Sequence, residues 1–343
     1  MSASYHDVFE KVSLQVSVKP TAKQVAHAAE VSLAAVSRAF TPGASLSSEK
    51  RRRILAVAEK LGYVSPARRT ANAIAAGTIT LVAGDLLNPF YPTVLDTLAR
   101  QLQASDRQLL VYTMAANADV DAITPQILAA RPAAIIVTSA FLTSTMARAC
   151  RQQQIKVVLL NRIQRDIRVN SVACDNYQGG RDIAHHLVAA GHRKIGFIRG
   201  LANTSTNAER ARGFRDALAE SGIAIHVEAA GDFNYHTAYK ASIDILCGAD
   251  APQALFCCND IMALAAIDAA RELGLAVPRD LAIAGFDDIP MASWNAYCLT
   301  TVRQPVERMV HEALNLIDDT TIRPSDGGII RTLPGTLMVR KSA

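Results

Sequence analysis

From Thr78 onward the chain alternates short apolar runs with longer amphipathic ones, and no other feature restricts its fold so strongly. The runs ITLVAG, QLLVYT, AAIIVT, IKVVLL, KIGFIR, ALFCC and LAIAGF are strand candidates. Between them, segments such as YPTVLDTLARQLQAS, QGGRDIAHHLVAAG, NAERARGFRDALAESG and DIMALAAIDAARELG repeat apolar residues at helical spacing. Alternation of this kind implies right-handed βαβ units and parallel sheets. Roughly 265 residues carrying about ten strands exceed what one compact sheet usually takes, so two doubly wound α/β lobes facing each other across a cleft are expected.

The N-terminal part differs in kind. Residues 1–19 carry no periodic pattern and read as a flexible extension. Thr21 then caps the helix AKQVAHAA, a turn follows near Glu30 and Val31, and Ser32 caps LAAVSRAF. Val25, Ala28, Ala29, Val31, Val36 and Phe40 form the expected apolar seam. A third helix, SEKRRRILAVAEKLGY, sets Ile54, Leu55, Ala58 and Leu61 on one side and its arginine run on the other. Residues 20–64 thus form an all-α helix-turn-helix headpiece. The following stretch, residues 65–77, is rich in Ala, Arg and Asn and has too few large apolar residues to fold alone; it reads as a linker helix that forms only when held. Residues 78–343 are the core, with a first lobe of about 78–173 and 302–326 and a second of about 174–301 and 327–343.

Charge separates the same two parts. Of a net +5, the segment from Lys19 to Arg69 carries +7, with ten Lys/Arg against Glu30, Glu49 and Glu59, and the rest is about neutral at −2. That asymmetry points to a headpiece that meets a polyanion and a core that does not. No apolar run reaches the roughly 18 residues of a membrane span, and the N-terminus lacks the basic start and apolar core of a signal peptide, so a cytoplasmic location is expected and no membrane partner. The six cysteines show no CxxC pair and no metal spacing, and read as reduced, mostly core residues. His185 and His186 are neighbours on a helix and cannot both face one metal. There is no phosphate loop, GxSxG, HExxH or GxGxxG after a strand. No enzyme, metal or cofactor is expected.

In doubly wound sheets ligands sit beyond the C-terminal ends of the strands. The residues just past the runs include Asp85, Asn88, Phe90, Asn161, Arg162, Arg199, Asn259, Asp260, Asp287 and Asp288, a mixture suited to a small polar ligand such as a sugar. Asn259 and Asp260 serve equally well as caps for the helix that follows, and Asp287 and Asp288 as turn residues before Pro290. Arg210 is either a pocket residue or an exposed helix charge beside Glu209 and Arg212.

Taken in order, TAKQVAHAAEVSLAAVSRAF, EKRRRILAVAEKLGY, NPFY, ACDNYQGG, HLVAAGHRKIGFIRG, AERARGFRDALAESG, CCNDIMALAAIDAARELGLAVPRDLAIAGFDDIP and LTTVRQP closely resemble the LacI/GalR (lactose-repressor/galactose-repressor) family of bacterial transcription regulators. The resemblance runs from about Pro20 to Ser342. It implies a homodimer whose paired headpieces bind a pseudo-palindromic double-stranded operator, over a periplasmic-binding-protein-like core holding a small-molecule effector. It implies that the second helix enters the major groove and that an apolar wedge from the linker, here Ile74, enters the minor groove. DNA contacts are expected from Thr21, Ser32, Leu33, Ala34, Ala35, Ser37 and Arg38, with Arg51 to Arg53 near the backbone. By the same resemblance, effector contacts fall on Phe90, Asn161, Arg162, Thr206, Arg210, Phe233, Asn259 and Asp287.

Three departures qualify the match. Glu30 stands where the family usually has the turn glycine, so the turn must be built without a residue that takes φ > 0 freely. Between Tyr63 and Gly77 the linker is about one or two residues longer than is usual in the family, and Arg199 replaces a common glycine. If Arg199 and Arg210 both face the cleft, two guanidinium groups favour a sugar acid or sugar phosphate. Leu33, Ala34 and Ala35 offer no hydrogen bonds but can pack on thymine methyl groups. The rival readings on the same core fold are a transporter's solute-binding protein and a sugar-handling α/β enzyme. The missing leader and basic headpiece speak against the first, and the missing catalytic motifs against the second.

Overall fold

The computed structural model of the protein describes residues 20–41, 44–61, 63, 77–84, 86–114, 120–139, 141–323 and 328–343. The extension 1–19, the linker up to Ala76 with Ile74, and Asp85 lie outside them. The chain divides into two compact units, Met1–Ile74 and Ala75–Ala343.

In the first unit, α1 (Ala22–Ala28), α2 (Leu33–Ala39) and α3 (Ser48–Leu61) pack around Val25, Ala29, Val36, Ala39, Ile54 and Ala58. Thr21 closes a reciprocal capping box with Gln24, and the Ser32 hydroxyl accepts the Ala35 amide hydrogen at 3.2 Å. The turn between α1 and α2 has no glycine, and Glu30 itself takes the left-handed conformation, at φ +51. The seam is also narrower than expected. Ala28 is exposed, and Leu55 and Leu61 are 38% and 40% exposed, because α3 turns Ile54 and Ala58, with half-buried Val57, toward the two shorter helices.

The second unit contains two parallel sheets. The first has the order β11-β5-β4-β3-β1-β2, built from β1 (Thr78–Ala83), β2 (Gln108–Thr113), β3 (Ala134–Thr138), β4 (Lys156–Leu160), β5 (Asn170–Cys174) and β11 (Ile330–Leu333). Around it lie α4 (Phe90–Gln103), α5 (Val120–Ala129), α6 (Ser144–Gln152) and α11 (Val306–Asp318). The second sheet, β7-β6-β8-β9, uses β6 (Ile195–Arg199), β7 (Val227–Ala230), β8 (Ala254–Cys257) and β9 (Ala282–Ala284). Its helices are α7 (Asn176–Ala189), α8 (Ser205–Glu220), α9 (Tyr235–Leu246) and α10 (Asp260–Glu272). A short antiparallel pair, β10 (Thr301–Arg303) and β12 (Thr336–Met338), completes the unit.

Strands β1, β3 and β4 are almost wholly buried, which is why they read as continuous apolar runs rather than alternating ones. The aromatic trio Phe197, Phe214 and Phe256, with centroids 4.8–5.7 Å apart, ties β6 and β8 to α8. One boundary differs from the sequence reading. Residues 327–343 were expected in the second lobe, yet β11 pairs in parallel with β5 and forms the outer strand of the first sheet.

Candidate functional site

On the headpiece, an α-helix advances about 100° per residue, so three consecutive apolar residues span about 200° and do not share one narrow face. Ala35 turns inward. It is 8% exposed in the headpiece core, which corrects its assignment as a base reader. Leu33, 50% exposed, with Ala34, Ser37 and Arg38 form the outward face of α2. Thr21 and Ser32 are exposed at the two helix N-termini, where their side chains serve as caps. Arg51 is not free for a phosphate: its guanidinium donates to the carbonyls of Ala39, Thr41 and Ala44 at 2.9, 3.3 and 2.9 Å, closing the C-terminus of α2 and the loop beyond. Arg52 and Arg53 stay exposed.

In the core, the strand ends bring their polar residues together around one buried guanidinium. Arg210 on α8, 2% exposed, donates to Asn176 Oδ1 at 2.8 Å, to the Cys258 carbonyl at 2.6 Å and to Asp287 Oδ1 at 3.1 Å. Its guanidinium carbon lies 3.7 Å from the centre of the Phe286 ring. Gln304, following β10, donates to the same Asp287 oxygen at 2.7 Å. Arg210 is thus buried within this polar cluster and not a solvated helix charge. Truncating it would leave the Asp287 carboxylate buried without a cation, a loss of about 3–5 kcal/mol for pairs of this kind.

Close helix packing sets this position. A Cβ at Gly180 of α7 would overlap the Arg210 carbonyl, and one at Gly213 of α8 the Tyr177 carbonyl, so the glycines let the two backbones meet. Asn259 caps α10 through Oδ1, which accepts the Met262 amide at 3.2 Å, and its Nδ2 is left unpaired. The two alternatives for that residue are therefore compatible. Asp260 is fully buried, accepts the Ile289 amide at 2.8 Å and shares a 2.5 Å hydrogen bond with Thr301. Burial first, and then the neighbouring Asp287, push its carboxyl up to about 8. Burial raises the Asp287 carboxyl as well, and the facing Arg210 and the Gln304 hydrogen bond act against that rise.

On the first lobe, Asn161 adopts φ +62 and is 3% exposed, with Oδ1 unpaired; Arg162 is 5% exposed with Nε and Nη1 unpaired. Arg162 hydrogen-bonds Tyr91 and lies 5.0 Å from the Phe141 ring centre. Tyr91 is close enough to feel the charges of Arg162, Asp287 and Arg210, and burial raises its phenol above the usual range. The Ile163 amide donates to Ser205 Oγ at 3.0 Å, which joins the first lobe to the start of α8 beside Thr206. Phe90, 2% exposed, packs edge-on to Tyr91, and Thr206 Oγ1 bonds Thr204 Oγ1 at 3.3 Å. Phe233 holds its ring against Gly200. A groove of about 410 Å3 opens along Phe90, Thr97, Asp287, Gln304 and Arg308.

Arg199 does not join this group. Its guanidinium lies 4.0 Å from Glu228 and 3.9 Å from Asp232, on the same side of β6 as Phe197. The strand alternates its side chains, and this face leads to the carboxylates of β7 and the loop after it. Arg199 and Arg210 are therefore paired with different carboxylates and are not brought together at one ligand site. Sequence reasoning placed Phe286 just past its strand run but missed Tyr91, Asn176 and Gln304 as site residues, although each stands in a quoted motif: NPFY, ACDNYQGG and LTTVRQP. Among the described residues no group of His, Cys, Asp and Glu is placed to hold a metal, and no helix is long and apolar enough to cross a membrane.

Known proteins share both units. Residues 21–65 match the model for bacterial regulatory proteins of the lacI family, and residues 184–343 that for a periplasmic binding protein-like domain. The transcriptional regulator AscG of Escherichia coli is 31% identical over 332 residues, spanning 94% of this chain and 98% of its own length. The chain belongs to the lacI family. It is a DNA-binding regulator of transcription and not an enzyme. The transcriptional repressor PurR of Pectobacterium carotovorum is 29% identical, covering 94% of this chain and 96% of PurR. Among solved structures, the regulator CelR in complex with cellobiose aligns with a TM-score of 0.69 at 27% identity, over 94% of this chain and all of that one. A lac repressor dimer bound to operator and anti-inducer aligns with the same TM-score, 0.69, at 24% identity, over 94% and 98% of the two chains, and shows the shared fold.

Proposed function

We propose that the protein represses transcription from a pseudo-palindromic operator as a homodimer, and that a small sugar-like effector bound where the core lobes meet controls its operator affinity. The finer expectation for that effector is a sugar acid or sugar phosphate. The observation that carries the reading is the set of buried polar atoms left without partners at the meeting of the lobes: Asn161 Oδ1, Arg162 Nε and Nη1, Asn259 Nδ2 and Gln304 Oε1. Buried donors and acceptors are normally satisfied, so several unpaired ones in one place mark where a ligand supplies the missing bonds. Donors and acceptors are both present, which suits hydroxyl groups, since each hydroxyl gives one hydrogen bond and accepts two.

The effector meets residues of both lobes, so it favours one lobe arrangement over another and shifts the spacing of the two headpieces. The same pocket lies next to the Asp287–Gln304 bond, which ties the second lobe's loop to the segment crossing between lobes. A gel shift on the DNA upstream of the protein's own gene tests the reading: sub-micromolar, salt-dependent binding is expected at moderate salt. Binding no tighter at that DNA than at unrelated duplex would overturn it.

A further inference from the structure

We infer that the effector carries an acidic group, a carboxylate or a phosphate, and that Arg162 is the residue that recognises it. This rests on the effector-controlled repressor reading and names the ligand chemistry of the same site. Three arginines lie near the strand ends, and the structure separates them by what already neutralises them. Arg199 has Glu228 and Asp232. Arg210 has Asp287, together with Asn176 and the Cys258 carbonyl. Arg162 is as deeply placed, at 5% exposure, yet no ion pair joins it to a carboxylate among the described residues, and two of its guanidinium nitrogens have no partner at all.

Among the described residues its surroundings do not supply the missing charge. Tyr91 offers a phenol whose ionisation burial opposes, and Phe141 offers only a ring face. A guanidinium cannot shed its proton to escape burial, as a lysine or histidine can, so it stays charged in the site. A buried charge without a partner is costly, and an incoming anion recovers that cost where a neutral sugar recovers only a hydrogen bond. The rest of the site is arranged for the neutral part of the ligand. Asn161, Asn259 and Gln304 present uncharged groups, and the Arg210–Asp287 pair is already balanced.

The test is a calorimetric titration of the full chain with matched sets: glucose, gluconate and glucose 6-phosphate; galactose, galacturonate and galactose 6-phosphate; ribose and ribose 5-phosphate. Inorganic phosphate, followed by melting temperature, serves as the probe of the guanidinium alone. The expected result is at least one acid or phosphate bound tenfold or more tightly than its neutral parent. That preference should vanish in Arg162→Ala, survive in part in Arg162→Lys, and be unchanged in Arg199→Ala. Tighter binding of a neutral sugar, or an acid preference that persists in Arg162→Ala, overturns the inference. So does the absence of any shift from the acids, the phosphates and inorganic phosphate. In each of those cases an intact operator gel shift by the same preparation leaves the repressor reading standing, whereas loss of specific operator binding sinks that reading itself.

Discussion

Glu30 occupies the left-handed turn between α1 and α2 at φ +51, and its side chain is exposed. A residue with a Cβ is strained there, and glycine is not. Glu30→Gly should therefore raise headpiece stability by about 0.5–1 kcal/mol, read as a higher melting temperature, with operator affinity retained. Asp260 gives a second expectation. Its carboxyl is pushed up to about 8, above its unfolded value of about 4, so its contribution to stability is complete below pH 4 and is lost as pH rises toward 8. Asp260→Asn imitates the protonated acid toward Ile289 and Thr301. Its melting temperature should fall less than the parent's between pH 5 and pH 8; an unchanged slope would show that Asp260 is already ionised in the folded state. Single residues also mark the limit of sequence reading. The roles of Arg199 and Arg210 follow from which carboxylates come near, and those carboxylates lie on other strands and loops. Ala35 turned inward because the packing of α1 against α2, not the pattern LAA, sets the rotation of the helix.

At the scale of elements, the strands that sequence reading found are buried apart from the half-exposed β2. The run QLLVYT coincides with β2, and the other six quoted runs fall on β1, β3, β4, β6, β8 and β9. The strands absent from that reading are β5, β7, β10, β11 and β12, each of five residues or fewer, and apart from β5 and the buried pair in β10 they are half-exposed with mixed side chains. Their pairing depends on distant partners, as in β11 with β5, and local periodicity carries no trace of it. The helices were easier, and α7 with α8 shows why their contact matters. Gly213→Ala forces α8 away from α7 and moves Arg210, which should cost about 1–3 kcal/mol of core stability and weaken effector binding together. Effector affinity that holds while stability falls would mean that Arg210 keeps its place. For α2, the exposed Leu33 and Ala34 support methyl contacts. Replacing operator thymines by uracil should weaken binding about fivefold or more, near 1 kcal/mol, in a competition gel shift. Equal affinity for the two duplexes would leave Ser37 and Arg38 as the readers.

For the whole molecule, the two-part plan was legible from the charge contrast and the change of hydrophobic period near Thr78, and the chain does divide between Ile74 and Ala75. What joins the lobes was not legible, because it consists of single bonds between distant residues: Ile163 with Ser205, Gln304 with Asp287, and Arg303 with Asp288. If the dimer reading is right, two headpieces share one operator, and each half-site alone keeps only part of the phosphate contacts. A half-site duplex should then bind at least about a hundredfold more weakly than the full pseudo-palindrome, and with a shallower dependence on salt, since the slope of log K against log salt follows the number of phosphates neutralised. Coupling must also run both ways: whatever factor the effector applies to operator affinity, saturating operator must apply to effector affinity. Titrating the effector with and without full-site operator measures that factor directly. Unequal factors in the two directions would show that a third species, such as a change in oligomeric state, takes part in the switch.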